Sequence, residues 1–381
     1  MRIPQFLTCA TVAIAFGCSS DAGGPVALPV ALAPLAPFAS DTLLVVSSED
    51  TSESLAVLAL DTATGEVGLL PDSPASLGVT VGDAETLAAD PARRRVFFGS
   101  NKGDGIAVVD LDGAGRPVPV TGSPFASEST GVSVIQAAPT GDLIYVGYHA
   151  TNLLSRYSVS AGGSLTLEQS ITTDTNGHVE TMLLVDDVLY VGFESSSRIV
   201  GYRLDGTGAF AAGPQVVADV LTNARPDYLR RIGDKLYCSL AADGSVDAFA
   251  IEADGSLTRL AGAPYAYPGI GAFELIAVQP GGARIAVGAE TPSAAIGVYL
   301  VNPDGSLAPA GEPLILHERK GGPEGMAFSA DGRFLFVCDH VGIGLYVLEL
   351  SGDLLEFSPT PRYRLPGRQI DILRLDLPAI P

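Results

Sequence analysis

The chain has 381 residues, of which 47% are hydrophobic and only 17% charged. That composition is enough to bury a large core and excludes a disordered chain. Its formal charge of −21 argues against nucleic acid or an anionic membrane surface as partner, since both require clustered Lys and Arg.

The first segment reads as targeting sequence rather than fold. Arg2 precedes an apolar run from Phe6 to Phe16, too short to span a bilayer. The run ends in AFGC (15–18), small residues directly before a cysteine, which resembles a bacterial lipobox. On that reading residues 1–17 are a signal peptide and Cys18 carries the lipid. An ordinary secretory signal cut nearby, with Cys18 incidental, is the alternative. Residues 18–40 are rich in Ala and Pro and low in charge, the composition of a semi-extended tether. The expected location is therefore extracytoplasmic, lipid-anchored in a bacterial envelope. Ser19 and Ser20 favour the outer membrane by enterobacterial sorting rules.

From Asp41 onward a unit of roughly 48 residues recurs. Its strand cores are LLVVSSE (43–49), VFFGSN (96–101), IYVGYH (144–149), LYVGFE (189–194), LYCSLA (236–241), IAVGAE (285–290) and LFVCDH (335–340). Each repeat carries four strand signals. A short turn such as PTGD (139–142), DD (186–187), GD (233–234) or PGGA (280–283) divides the first two strands. A GGSL or DGSL hairpin (162–165, 254–257, 304–307) divides the last two. Exits containing Pro (DSP 72–74, GSPF 122–125, GAPY 262–265, GEP 311–313) are expected to end pairing at an edge. A period of 40 to 50 residues built only of strands predicts an all-β, seven-bladed propeller over 41–377. Six repeats are complete. The N-terminal piece 41–72 lacks a first strand, and RQIDILRLDL (368–377) supplies it, closing the ring. Cys238 and Cys338 fall on equivalent strands two repeats apart and are expected to be buried thiols, not a disulfide.

The repeated DGSL hairpins, the G-x-P-[FY] exits and GPEGMAFSADGRFLFVCDH (322–340) resemble the seven-bladed lactonase-like propellers, a family that includes 6-phosphogluconolactonases and carboxy-muconate cyclases. The resemblance covers about 41–377 and implies a lactone hydrolase or cyclase acting on a small lactone or sugar-acid substrate at the channel mouth, with Arg, His and Glu drawn from one blade motif, GPRHxxFxPDGxxxYVxNE. In 322–340 those three positions hold Glu324, Gly325 and His340.

The motif separates its Arg and Glu by sixteen residues. The same offset in every repeat puts Glu85, Ser133, His178, Arg225, Glu274, Glu324 and Arg368 at blade starts. It puts Asn101, His149, Glu194, Ala241, Glu290, His340 and Glu49 at second-strand ends. Three of the chain's four histidines land there, and His317 lies in an exit segment. A merely solvated rim would also be polar. Lactone chemistry needs a cation for the developing oxyanion and a base of suitable pKa. The candidate catalytic set is His178, Glu194 and Arg225, with Glu274, Glu290, His340, His149 and Arg368 as further ligand-binding candidates. No cofactor and no metal are expected. A metal would need adjacent blades, either His149 with His178 and Glu194 or Glu290 with His340. Partners are a small-molecule ligand or an envelope protein, with membrane contact only through the anchor, and the expected state is a monomer. A non-catalytic binding scaffold is the competing function.

Overall fold

The structure, a computed structural model, describes residues 40, 42–48, 54–78, 86–100, 102, 105–173, 177–212, 216–220, 224–319, 321–341, 344–365 and 369–377. Cys18, Arg368, Glu85, Asn101 and Glu49 lie outside the described residues, as do the expected signal peptide and nearly all of the expected tether. No helix among the described residues is long and apolar enough to cross a membrane.

Seven antiparallel sheets are present, each built on four strands, and in six of them the strands follow in sequence order from the axis outward. We number the blades from the first complete repeat. Blade 1 holds Leu87–Asp90, Arg95–Phe98, Ala107–Leu111 and Pro117–Pro119. The inner strands of blades 2 to 6 are Val132–Ala137, Val179–Val185, Pro226–Ile232, Phe273–Val278 and Pro323–Phe328. Blade 7 is a composite. Gln369–Asp376 is its inner strand and pairs antiparallel with Thr42–Ser48, which pairs with Leu55–Leu60 and then Val67–Leu69. Inner strands touch their neighbours all the way round, with Gln369–Asp376 set between those of blades 6 and 1. The ring is closed by the two ends of the described chain, and the sheets have no open inner edge.

The core is distributed between blades rather than collected at one centre. Leu44, Val46 and Leu58 of blade 7 pack on Phe334, Phe336 and Val347 of blade 6, all fully buried or nearly so. Burial of each such side chain contributes about 1.5–3 kcal/mol. The recurring Tyr of the second strand links consecutive blades through the hairpin turns. Tyr145 Oη donates to the Gly208 carbonyl (2.8 Å), Tyr190 Oη to Gly255 (2.7 Å) and Tyr237 Oη to Gly305 (2.8 Å). Gly255 has φ +77°, and a Cβ there would come within 2.9 Å of Val188, so the turn admits only glycine without adjustment. Cys238 and Cys338 are free and buried in separate inter-blade cores.

Proline exits do not end pairing. After the Ala263–Pro264 bond, Tyr265–Ala266 returns to pair with Ser245 and Val246 of the third strand. After Pro313, Leu314–His317 pairs with Ala294–Ile296, and Ala75 and Phe125 make single bridges of the same kind. Pro stops the fourth strand and redirects the chain, because it offers no N–H to the ladder but leaves the next residues free to donate.

Candidate active site at the channel mouth

One local feature decides what faces the channel. A register shift, the mark of a β-bulge, interrupts the pairing of the first two strands in blades 2 to 7. It leaves Ser133, Glu180, Asp227, Glu274 and Glu324 at the bulge in blades 2 to 6. Bulges bend the strand and re-aim a side chain.

The constant sixteen-residue offset therefore fails in two blades. In blades 2, 5 and 6, Val132 faces Tyr148, Phe273 faces Ala289 and Pro323 faces Asp339. In blades 3 and 4 the equivalent pairs are Val179 with Phe193 and Pro226 with Leu240, two residues closer in sequence. The two-residue turns at 186–187 and 233–234 replace four-residue turns elsewhere, so counting back sixteen overshoots the bulge. The residues equivalent to Glu324 are Glu180 and Asp227, not His178 and Arg225. His178 and Arg225 sit two residues nearer the rim, where their carbonyls accept from Glu194 N–H (3.2 Å) and Ala241 N–H (3.0 Å).

At the rim, three adjacent blades bring four side chains together. Arg225, in the left-handed region with φ +55°, places its Nε 2.6 Å from Glu194 Oε1. Glu194 Oε2 lies 3.6 Å from His178 Nδ1 and 4.0 Å from His149 Nε2. The two imidazoles approach to 3.0 Å between His178 Nδ1 and His149 Nε2, with ring centroids 4.0 Å apart. The histidine side chains are 41% and 46% exposed, and Glu194 only 18%. Burial holds the His149 pKa below its usual value, and the neighbouring His178 acts in the same direction against the pull of Glu194. The candidate trio His178, Glu194 and Arg225 is thus assembled, and His149, assigned only a ligand-binding part by the sequence, belongs with it.

A second cluster sits across the mouth in blades 5 and 6. Glu324 and His340 are in direct contact through Oε1 and Nδ1 and are 15% and 10% exposed. Glu290 lies within the same group. Desolvation, then the charge of Glu324 and that of Glu274, pushes the Glu290 carboxyl up to about 8. Asp227 is pushed well above the carboxylate range by burial, then by Glu274 and Glu180, with Arg225 opposing. The bulge residues of blades 3 to 6 therefore form an arc of carboxylates at the position where the family motif carries its Arg.

Sequence reasoning missed Glu180 and Asp227, although the shorter DD and GD turns were visible in the chain. It also passed over Asp339, which receives His317 Nε2 at 2.9 Å and is fully buried beside the second cluster. A cavity of about 820 Å³ lies elsewhere, running from mid-channel toward the opposite mouth. Its lining is mainly backbone and apolar groups, and the guanidiniums of Arg231 and Arg374 there donate to the carbonyls of Gly233 and Phe328. It contains none of the clustered imidazoles, so volume alone does not locate the chemistry.

No protein-family model and no curated protein sequence matches the chain. Solved structures do. A candidate 6-phosphogluconolactonase from Bacteroides fragilis aligns with TM-score 0.75 at 14% identity, covering 88% of this chain and 98% of its own. One from Bacteroides uniformis gives 0.73 at 15%, covering 88% and 100%. A periplasmic gluconolactonase from Pseudomonas aeruginosa gives 0.72 at 19%, covering 88% and 99%. The protein shares the seven-bladed propeller fold with these proteins over nearly their whole length.

Proposed function

We propose that the protein is a lactonase-like hydrolase of the cell envelope, acting on a small uncharged lactone at the rim cluster. The observation that carries this reading is the convergence of His149, His178, Glu194 and Arg225 from three blades onto one accessible spot. His149 engages His178 at Nδ1, which leaves Nε2 of His178 to take a proton from water. The resulting hydroxide adds to the lactone carbonyl, and the guanidinium of Arg225 stabilises the oxyanion. When the ring C–O bond breaks, the proton on His178 passes to the leaving alkoxide, giving an open hydroxy acid. Glu194 anchors Arg225 through Nε and offsets the imidazolium charge.

The arc of Glu180, Asp227, Glu274 and Glu324 argues against a phosphorylated or carboxylated substrate, since an anion would approach carboxylates where the family motif has a cation. That arc also supports the second reading, a non-catalytic propeller that binds a ligand or an envelope protein. The lipobox at Cys18 supports anchoring outside the cytoplasm; Cys18→Ser should release the protein from the membrane fraction.

Hydrolysis of an uncharged lactone panel, followed by pH-stat, tests the hydrolase. Arg225→Ala should lower kcat/KM by about 100-fold, in line with loss of one oxyanion donor. His178→Ala should lower it further, and Glu290→Gln should leave it within about twofold. Turnover indifferent to Arg225 and His178 would remove this site, and no turnover on any lactone would favour the binding protein.

A further inference from the structure

We propose that His149, His178 and Glu194 form a binding site for a divalent first-row transition ion, with zinc as its representative. The three donor atoms are His149 Nε2, His178 Nδ1 and Glu194 Oε2, separated by 3.0, 3.6 and 4.0 Å. A point equidistant from atoms so spaced lies about 2.1 Å from each, the length of a Zn–N or Zn–O bond. Tetrahedral ligands at that length stand about 3.4 Å apart, inside the observed range. Two imidazoles and one carboxylate suit Zn²⁺ or Co²⁺ better than Mg²⁺ or Ca²⁺, which prefer oxygen alone.

The surroundings fit as well as the distances. Arg225 grips Glu194 through Oε1, leaving Oε2 turned to the imidazoles, the kind of outer contact that orients a ligating carboxylate. The half-exposed histidines give the ion a path from solvent and room for a further ligand. The chain's negative charge draws cations to the mouth. Glu194 and His178 are held opposite each other by the Glu194 N–H to His178 carbonyl bond, so two of three ligands are fixed before an ion arrives. Coordination uses Nδ1 of His178 and leaves its Nε2 free, so the site is compatible with the hydrolase reading without depending on it.

The test uses the full chain without a polyhistidine tag. Zn²⁺ uptake is measured by competition with a chromophoric chelator, and Co²⁺ binding by visible absorption. One equivalent of either ion should bind, with Co²⁺ bands of four- or five-coordinate intensity. His149→Ala and His178→Ala should each weaken binding more than about tenfold while circular dichroism stays unchanged, and Arg225→Ala should weaken it about tenfold. Asp254→Ala, on the exposed blade 4 hairpin, should bind as the parent does. Uptake unaffected by His149→Ala and His178→Ala, or no uptake at about 100 µM Zn²⁺, overturns the site. Zinc uptake without lactone turnover would sustain the metal site and remove the hydrolase; turnover without uptake would do the reverse.

Discussion

The two clusters at the channel mouth are built from the same positions of the repeat and behave oppositely. The first occupies the rim at blades 2 to 4, with two half-exposed histidines and one carboxylate tied to a guanidinium. The second occupies blades 5 and 6, with two carboxylates and one histidine, all largely buried. The difference follows from strand register. His178 precedes the bulge of its blade, whereas Glu324 sits at the bulge. Two residues along a strand separate a wet, balanced site from a crowded acidic one. In the crowded site burial, and after it the charges of Glu324 and Glu274, penalise an ionised Glu290, which pushes its carboxyl up to about 8.

Both clusters depend on the closed ring, and breaking closure has the largest expected effect. Deleting the last fifteen residues removes the inner strand Gln369–Asp376 and exposes Val46, Phe336 and their neighbours. The whole domain should lose its cooperative melt, measured by circular dichroism; unchanged melting would refute the composite blade.

Removing one partner of the buried cluster comes next. His340→Ala leaves Glu324 without its imidazole contact and should cost about 3 kcal/mol in chemical denaturation at pH 7. The matching change at the rim, His149→Ala, should cost less than about 0.5 kcal/mol, because water replaces the lost contact. Equal costs would show that the two clusters do not differ in burial.

A pH series sharpens the contrast. The folded pKa of Glu290 is raised from 4.5 to about 8, so the folded state holds that proton more tightly than the unfolded chain. Its stabilising contribution is full below about pH 4.5 and is lost as pH rises through 8. Glu290→Gln should match the parent at pH 5 and melt about 2 °C higher at pH 9. A constant difference across that range would mean Glu290 is ionised throughout. The smallest effect belongs to Asp254→Ala on the blade 4 hairpin. It loses two bonds to Ser256, of 2.9 and 2.6 Å, on an exposed turn and should lower the melting temperature by less than about 1 °C without touching either cluster.

Much of this protein was legible in its chain. Apolar alternation and the DGSL hairpins are local signals, and their repetition was enough to count seven blades and to make 368–377 the first strand of the blade begun by 41–72. The residues gathered at the mouth were also named, since His149, His178, Glu194, Arg225, Glu290 and His340 all stand at strand ends. Two things needed the folded molecule. Register was one: the shorter turns of blades 3 and 4 moved Glu180 and Asp227, not His178 and Arg225, to the bulge, because turn length sets which residues face each other. Partnership was the other. His149 meets His178 only because adjacent blades pack at a fixed angle about the axis. Glu290 keeps its proton only because Glu324 and Glu274 are brought beside it from other strands and water is shut out. Distances between blades and the desolvation of a carboxyl are properties of the closed ring, and no single repeat contains them.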